Sequence, residues 1–274
     1  MALFGKLFEK KICSVCGGEI GLLGNRKLSD GNCCKKCAGE LSPWFEDRRE
    51  STVEQIKEQL QYRADNAEQL KSFVVSEIIG EYQKMYVEKV NDIPTRFFVT
   101  SESRYLDENP DIIPFENVIS CSVDIDENEE EIMRENKDGE EVSYNPPRFQ
   151  HHYNFYIDMV IRDTPWFDAI RFNINDDDVT LETVKGSVDR SMDARRGSAG
   201  MPRTGNIPAS REEKRYQEYE QMCKKICQLV EEARNGASAQ EAAVAGSEPP
   251  AFCTACGAPN DGSRFCQFCG TKLV

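Results

Sequence analysis

Cys253-Thr-Ala-Cys256-Gly257 and Cys266-Gln-Phe-Cys269-Gly270, with nine residues between Cys256 and Cys266, form the most informative stretch of this 274-residue chain. Each C-x-x-C-G has the outline of a zinc knuckle. Two thiolates on a tight turn chelate one ion, and the glycine lets backbone amides approach the sulfurs without a Cβ clash. Two knuckles supply the four tetrahedral ligands that Zn2+ prefers. A segment of about 24 residues is too small to bury a self-sufficient core, so metal must supply most of its folding energy. A redox C-x-x-C belongs in a thioredoxin-like βαβ setting, and the sequence here predicts none.

The same chemistry recurs near the front. Cys13-Ser-Val-Cys16-Gly17 precedes a Gly-rich, hairpin-like stretch from Ile20 to Gly31, which leads into Cys33-Cys34-Lys-Lys-Cys37. The second pair with two-residue spacing is Cys34/Cys37, so Cys13, Cys16, Cys34 and Cys37 make the natural site and Cys33 is left over. No His or carboxylate is placed to leave an open coordination position. Both sites, this one and Cys253/Cys256/Cys266/Cys269, therefore read as closed, structural Zn2+ sites. Four thiolates around one divalent ion carry a net −2, and Lys10, Lys11, Lys35 and Lys36 are near enough in sequence to offset it at the first site.

Composition bounds the rest. Hydrophobic residues make up 39% of the chain and charged residues 30%, which suits a soluble protein with polar connections. There is no run of 18 apolar residues, and Met1 to Phe8 is broken by Lys6, so neither a membrane span nor a signal peptide is expected. Eight of the 12 cysteines fall in C-x-x-C pairs, which points to metal in a reducing cytoplasm, not to a secreted disulfide scaffold. The net charge is −14, and residues 81–190 alone carry 26 acidic against 11 basic side chains. That central field opposes binding to phosphate backbones or anionic lipid.

Between the cysteine clusters the pattern changes twice. Ser51-Thr-Val-Glu54 reads as a helix start with Ser51 as the cap and Glu54 in the capping-box position, followed by Val53, Ile56 and Leu60. Asp65-Asn-Ala-Glu68 is expected to start a second short helix. From about Val74 the period falls to two. Arg96 to Thr100 is a short strand, and Ile119, Cys121, Val123 and Ile125 form the apolar row of another, with Cys121 as a packed thiol. Tyr153, Phe155, Ile157, Met159 and Ile161 alternate with His152, Asn154, Asp158 and Arg162. Ile170, Phe172 and Ile174 supply the partner strand of an antiparallel meander with one buried face. His151 and His152, the only histidines, read as ordinary sheet residues.

The acidic runs Asp124–Glu131 and Asp176–Asp178 read as solvated loops, since the Gly-containing twelve-residue calcium spacing is missing. Residues 191–209, with Arg195, Arg196 and Arg203 following Arg190, form a basic Gly/Pro/Ser-rich loop able to grip an acidic partner or a phosphate. Ser210-Arg-Glu-Glu213 caps a long helix with Tyr216, Tyr219, Cys223, Ile226 and Val230 on one side and a stop at Asn235-Gly236. Cys223 and Cys227, one turn apart, read as packing residues. Residues 236–250 form a flexible linker with a reach of roughly 20–25 Å.

Two family resemblances attach to these residues. Phe252-Cys-Thr-Ala-Cys-Gly through Phe265-Cys-Gln-Phe-Cys-Gly-Thr-Lys-Leu273 resembles the short C-terminal zinc ribbon widespread in bacterial and archaeal proteins. Cys13-Ser-Val-Cys-Gly, Lys27-Leu-Ser-Asp-Gly31 and Cys34-Lys-Lys-Cys37 together resemble an N-terminal zinc-finger-like domain of unknown function from bacterial proteins. There that domain precedes a small β-rich region similar to bacterial pleckstrin-homology-like domains, and Ile113-Pro-Phe-Glu-Asn-Val-Ile119 with the helix over 210–235 suits that region. Cys33 and the acidic stretch near 126–148 depart from the pattern.

The expected architecture is α+β. A four-cysteine zinc module (1–49) is followed by connecting helices (50–75) and an antiparallel, pleckstrin-homology-like core with a closing helix (76–235). The linker (236–250) and a tethered zinc ribbon (251–274) complete it. No nucleophile elbow, phosphate-cradling Gly loop or open metal site is present, so the expected function is non-catalytic, protein interaction or scaffolding, with a protein as partner. Phe252, Phe265 and Phe268 are the expected contact residues unless they pack over the zinc knuckle. Two alternatives remain: a nucleic-acid-binding zinc-ribbon protein, or a thiol redox switch that releases zinc, cued by Cys33 beside Cys34.

Overall fold

The structure, a computed structural model, describes residues 11–184, 210–245, 252–253, 255–259 and 265–273. The loop expected over 191–209 and the segment Met1 to Phe8 lie outside the described residues, as do Arg190 and Lys10.

The front of the chain folds as two small hairpins and a short helix. β1 (Lys11–Ile12) pairs with β2 (Glu19–Ile20), and β3 (Arg26–Lys27) pairs with β4 (Asn32–Cys33), followed by α1 (Lys35–Gly39). Its interior is a cluster of Cys13, Ile20, Leu28, Cys33, Cys37, Leu41 and Ile56. Three of these seven are cysteines, so the unit has little apolar core of its own. Ile56 comes from α2 (Val53–Leu70), which seals the cluster from one side.

Helix α2 differs from the sequence reading in two ways. Its cap is Thr52, not Ser51, and the capping box is closed by Gln55: the Thr52 hydroxyl accepts from the Gln55 N–H, and the Gln55 side chain accepts from the Thr52 N–H. It also runs unbroken through Asp65-Asn-Ala-Glu68. A second start was expected there because the buried face turns polar: Gln59, Arg63 and Asn66 are buried alongside Ile56 and Leu70. An apolar-periodicity reading cannot follow such a face.

The buried polar residues hold the helix to the loop that ends at Ile112. Arg63 Nη1 donates to Asp111 Oδ1 at 2.7 Å, Ser42 Oγ donates to Asp111 Oδ2 at 2.7 Å, and Arg63 Nε donates to the Glu40 carbonyl at 3.2 Å. Asn66 donates to the Pro110 carbonyl and accepts from the Ile112 N–H. One network thus ties the front unit, α2 and the β-rich region together.

That region begins with β5 (Glu77–Ile79), β6 (Lys84–Val90) and β7 (Ile93–Thr100). The short helix α3 (Tyr105–Glu108) and β8 (Ile113–Pro114) follow, giving an antiparallel sheet in the order β5-β6-β7-β8. A second antiparallel sheet is organised on β10 (Glu141–Ile161). β9 (Val118–Glu135) lies along one side of it; β11 (Ala169–Asn173) and β12 (Val179–Val184) share the other. The sheets meet where the Glu81 and Gln83 amides donate to the carbonyls of Ile174 and Asn173. The expected inward row of β10 is buried throughout, from Tyr153 to Ile161, and so are Ile170, Phe172 and Ile174.

β9 corrects two expectations. Ile119 was placed on its apolar row, but a bulge between the pairs Val118↔Ile161 and Ser120↔Val160 inserts one residue. Val118 takes the buried position and Ile119 is left 53% exposed. The acidic run Asp124–Glu131 is strand, not loop, and pairs in register with Phe149 to Tyr156. Its carboxylates stay solvated, since every Asp and Glu of the run is exposed although His151, Tyr153 and Phe155 opposite are buried, and pairing with β10 outweighs the poor strand propensity of Asp and Glu. Asp176–Asp178 is a loop, as expected.

Helix α4 (Arg211–Ala245) closes the core. Ser210 and Glu213 cap it reciprocally, and Tyr216, Tyr219, Cys223, Ile226, Leu229, Val230 and Ala233 are buried against both sheets. Tyr216 meets Tyr153 and Phe155 edge-on, with ring centroids 5.0 and 5.1 Å away. The helix does not stop at Asn235-Gly236 but continues to Ala245, which removes 236–245 from the expected flexible linker. Gly costs only about 1 kcal/mol in a helix interior, too little to end one held by packing. Gly236 is also required by packing, since a Cβ there would lie 2.7 Å from Ile93 Cγ2. Gly236→Ala is therefore expected to destabilise by up to about 2 kcal/mol, an overpacking cost of about 1–3 kcal/mol offset by about 1 kcal/mol of better propensity. Urea unfolding curves compared with those of Gly39→Ala, a site with open space around it, provide the check.

Candidate metal centres

Three of the four knuckles are the same structure built three times. In each, the first cysteine donates its N–H to the carbonyl five residues on: Cys13 to Gly18 (2.8 Å), Cys253 to Ala258 (2.8 Å) and Cys266 to Thr271 (2.9 Å). The glycine four residues on returns its N–H to that cysteine's carbonyl, at 2.8 Å in all three. Closing the turn requires the left-handed region, and Gly17, Gly257 and Gly270 have φ of 74°, 72° and 73°. This is why each C-x-x-C is followed by Gly. The fourth knuckle is made differently, because Ala38 follows Cys37. Cys34 caps α1, and its sulfur accepts the Cys37 N–H at 3.4 Å.

These turns gather two sets of four sulfurs, Cys13/Cys16/Cys34/Cys37 and Cys253/Cys256/Cys266/Cys269. Within each set all Sγ atoms lie within 4.8 Å of one another. Zn–S bonds of about 2.3 Å at the tetrahedral angle put sulfurs about 3.8 Å apart. The Cys16–Cys34, Cys253–Cys269 and Cys256–Cys266 separations are 3.9, 3.6 and 3.6 Å. Both sets could hold a metal ion.

The surroundings favour the thiolate at Cys13 and Cys269, whereas burial pushes Cys37 up and Cys256 is raised to about 12. Burial opposes ionisation of Cys13, yet the amides of Cys16, Cys34 and Val15 aimed at its sulfur bring its pKa down to about 6. The Cys34 N–H reaches that sulfur at 3.3 Å. The Thr271 hydroxyl and amide bring Cys269 down to about 6. Cys33 behaves in the opposite way. It is fully buried in the apolar cluster, its thiol donates to the Cys34 carbonyl at 3.4 Å, and burial pushes its pKa up to about 11. It stands outside the sulfur set and packs the unit from behind.

Among the lysines expected to offset charge, Lys36 instead reaches Glu40 at 3.9 Å. His151 is buried between Glu127 and Thr183, 2.8 Å from each, and half-buried His152 contacts Asp178. Among the described residues neither histidine belongs to a cluster able to hold a metal. Cys223 is a buried packing residue, as read from sequence. Cys227 is not simply that: its sulfur lies 3.1 Å from Cys121 Sγ. Nothing in the sequence pairs residues 106 positions apart. The one available hint is that both read from sequence as packing thiols.

Phe252, Phe265 and Phe268 are 62%, 56% and 75% exposed, so the ribbon does not fold its aromatic rings away over the metal site. No helix among the described residues is long and apolar enough to cross a membrane.

Residues 11–59 match the model of a family described as a domain of unknown function (DUF4428), a span that takes in the four-cysteine front unit and the first turns of α2. No curated protein and no solved structure matches the chain.

Proposed function

We propose that the chain is a non-catalytic protein-interaction or scaffolding module carrying two structural Zn2+ ions, with a pleckstrin-homology-like core and a zinc ribbon that engages a protein partner. The observation that carries the reading is the ribbon itself. A segment this small, whose buried residues among those described are Cys253 and Cys266 of the sulfur set, still presents three phenylalanines at more than half exposure. Closed four-sulfur sites leave no coordination position for a substrate. Two twisted antiparallel sheets closed by a C-terminal helix support the pleckstrin-homology-like assignment. Tethering the ribbon after α4 raises its local concentration at a partner already held by the core.

The test is affinity capture from a native extract with three baits: the full chain, a chain ending at Ala245 so that α4 stays whole, and a full chain with Phe252, Phe265 and Phe268 replaced by Ser. Loss of the same proteins from both altered baits is expected. Identical protein sets from all three would remove the ribbon as the recognition element. Enrichment of nucleic acid would move the reading to the zinc-ribbon alternative.

A further inference from the structure

The thiols of Cys121 on β9 and Cys227 on α4 face each other at 3.1 Å, both half-buried and outside the two sulfur sets. We propose that they form a built-in oxidation site, at which a hydroperoxide converts the pair into a disulfide that fastens α4 to β9.

Three observations support this. First, the sulfurs are already in contact, so bonding requires an approach of only about 1 Å, to about 2.05 Å. Both elements are anchored nearby. Cys121 stands opposite fully buried Met159 in the register of β9 and β10, and Cys227 lies between buried Ile226 and Leu229. Second, the two thiols are chemically distinct. The hydrogen bond from Cys121 favours the thiolate of Cys227, whose pKa is held below the usual thiol range. The same contact, together with burial, pushes Cys121 up. That is the division between an attacking and a resolving thiol. Third, Cys223, one turn away, has no such access. It is fully buried, and burial pushes its pKa up to about 12.

The Cys227 thiolate attacks one peroxide oxygen; the O–O bond breaks, hydroxide leaves and takes up a proton as water, and Cys227 becomes a sulfenic acid. The Cys121 sulfur then attacks the Cys227 sulfur. The S–O bond breaks, the departing hydroxide takes the Cys121 proton as a second water, and the S–S bond forms. Two thiols have lost two electrons and two protons, and one hydrogen peroxide has become two waters. A dithiol reductant reverses the step by exchange. The consequence is mechanical. α4 closes the core and leads towards the ribbon, and the bond would close a loop of over 100 residues, the case in which a cross-link constrains the unfolded chain most.

The experiment treats the full-length, metal-loaded protein with graded hydrogen peroxide, blocks free thiols and maps the cysteines by mass spectrometry without reduction. Trypsin cuts at Lys224 and Lys225, which places Cys223 and Cys227 on different peptides. The expected result is a Cys121–Cys227 cross-linked peptide at peroxide doses that leave both metal-site cysteine sets reduced. A rise in melting temperature of roughly 5–15 °C, abolished by dithiothreitol, should accompany it. Cys121→Ser and Cys227→Ser should each abolish both effects, whereas Cys223→Ser should leave the cross-link in place. The proposal is overturned if Cys121 and Cys227 remain reduced while the metal-site cysteines oxidise, if Cys223 supplies the partner, or if the cross-link forms without raising the melting temperature. Because each cysteine is mapped separately, this outcome does not depend on which metal the other sites hold.

Discussion

Replacing Asp111 by Ala is expected to cost about 3–5 kcal/mol of stability. Both partners of its ion pair with Arg63 are almost wholly removed from water, with side-chain exposures of 0% and 5%. Removing the carboxylate leaves a guanidinium buried with only the Glu40 and Glu108 carbonyls to accept from it, at 3.2 and 3.4 Å, and strands the Ser42 hydroxyl. The intact pair is not itself a large net source of stability. Burial pushes the Asp111 carboxyl above the ordinary range even though Arg63 and Ser42 pull it down. The folded state thus binds that proton more tightly than the unfolded chain. The contribution of this carboxyl to stability falls as pH rises from the ordinary carboxylate range through its raised pKa. Arg63→Met combined with Asp111→Leu should accordingly cost far less than either single truncation. Urea unfolding followed by Trp44 and Trp166 fluorescence measures both. A loss below 1 kcal/mol for Asp111→Ala would show that the network does not hold α2 to the β-rich region.

The second large effect belongs to the front sulfur set. Cys34→Ser is expected to remove one of the two metal ions and unfold residues 11–59, whereas Cys33→Ser should keep the metal and lose only packing. The asymmetry follows from position. Cys34 brings its sulfur to 3.9 Å from Cys16 and receives the Cys37 amide, whereas Cys33 is buried in the apolar cluster. With cysteines making up three of that cluster's seven residues, what remains after metal loss cannot stand alone, and structural zinc supplies about 10–16 kcal/mol in small domains of this kind. Metal content by mass spectrometry and amide exchange over 11–59 separate the two variants. Retention of both ions by Cys34→Ser would reverse the ligand assignment.

The cysteine clusters and β10 were legible in the sequence because each rests on a short-range rule. C-x-x-C-G encodes a turn whose glycine must be left-handed, and Tyr153 to Ile161 alternates without interruption. What was not legible depended on partners distant in the chain. The glutamates of β9 read as loop because their strand is imposed by β10. Arg63 and Asn66 look like surface residues until Asp111 and Pro110 meet them, so one helix was read as two. Gly236 reads as a stop signal and is instead the place where α4 presses on Ile93. The turn Asn136-Lys-Asp-Gly139, with Gly139 at φ 81°, did carry a local hairpin signal that the acidic composition around it obscured.

Metal analysis of purified full-length protein, by native mass spectrometry beside elemental analysis, tests the central claim most directly. The sulfur geometry predicts two zinc ions per chain, one lost on Cys34→Ser and the other on Cys266→Ser. One ion or none, or an iron–sulfur chromophore in their place, would contradict it.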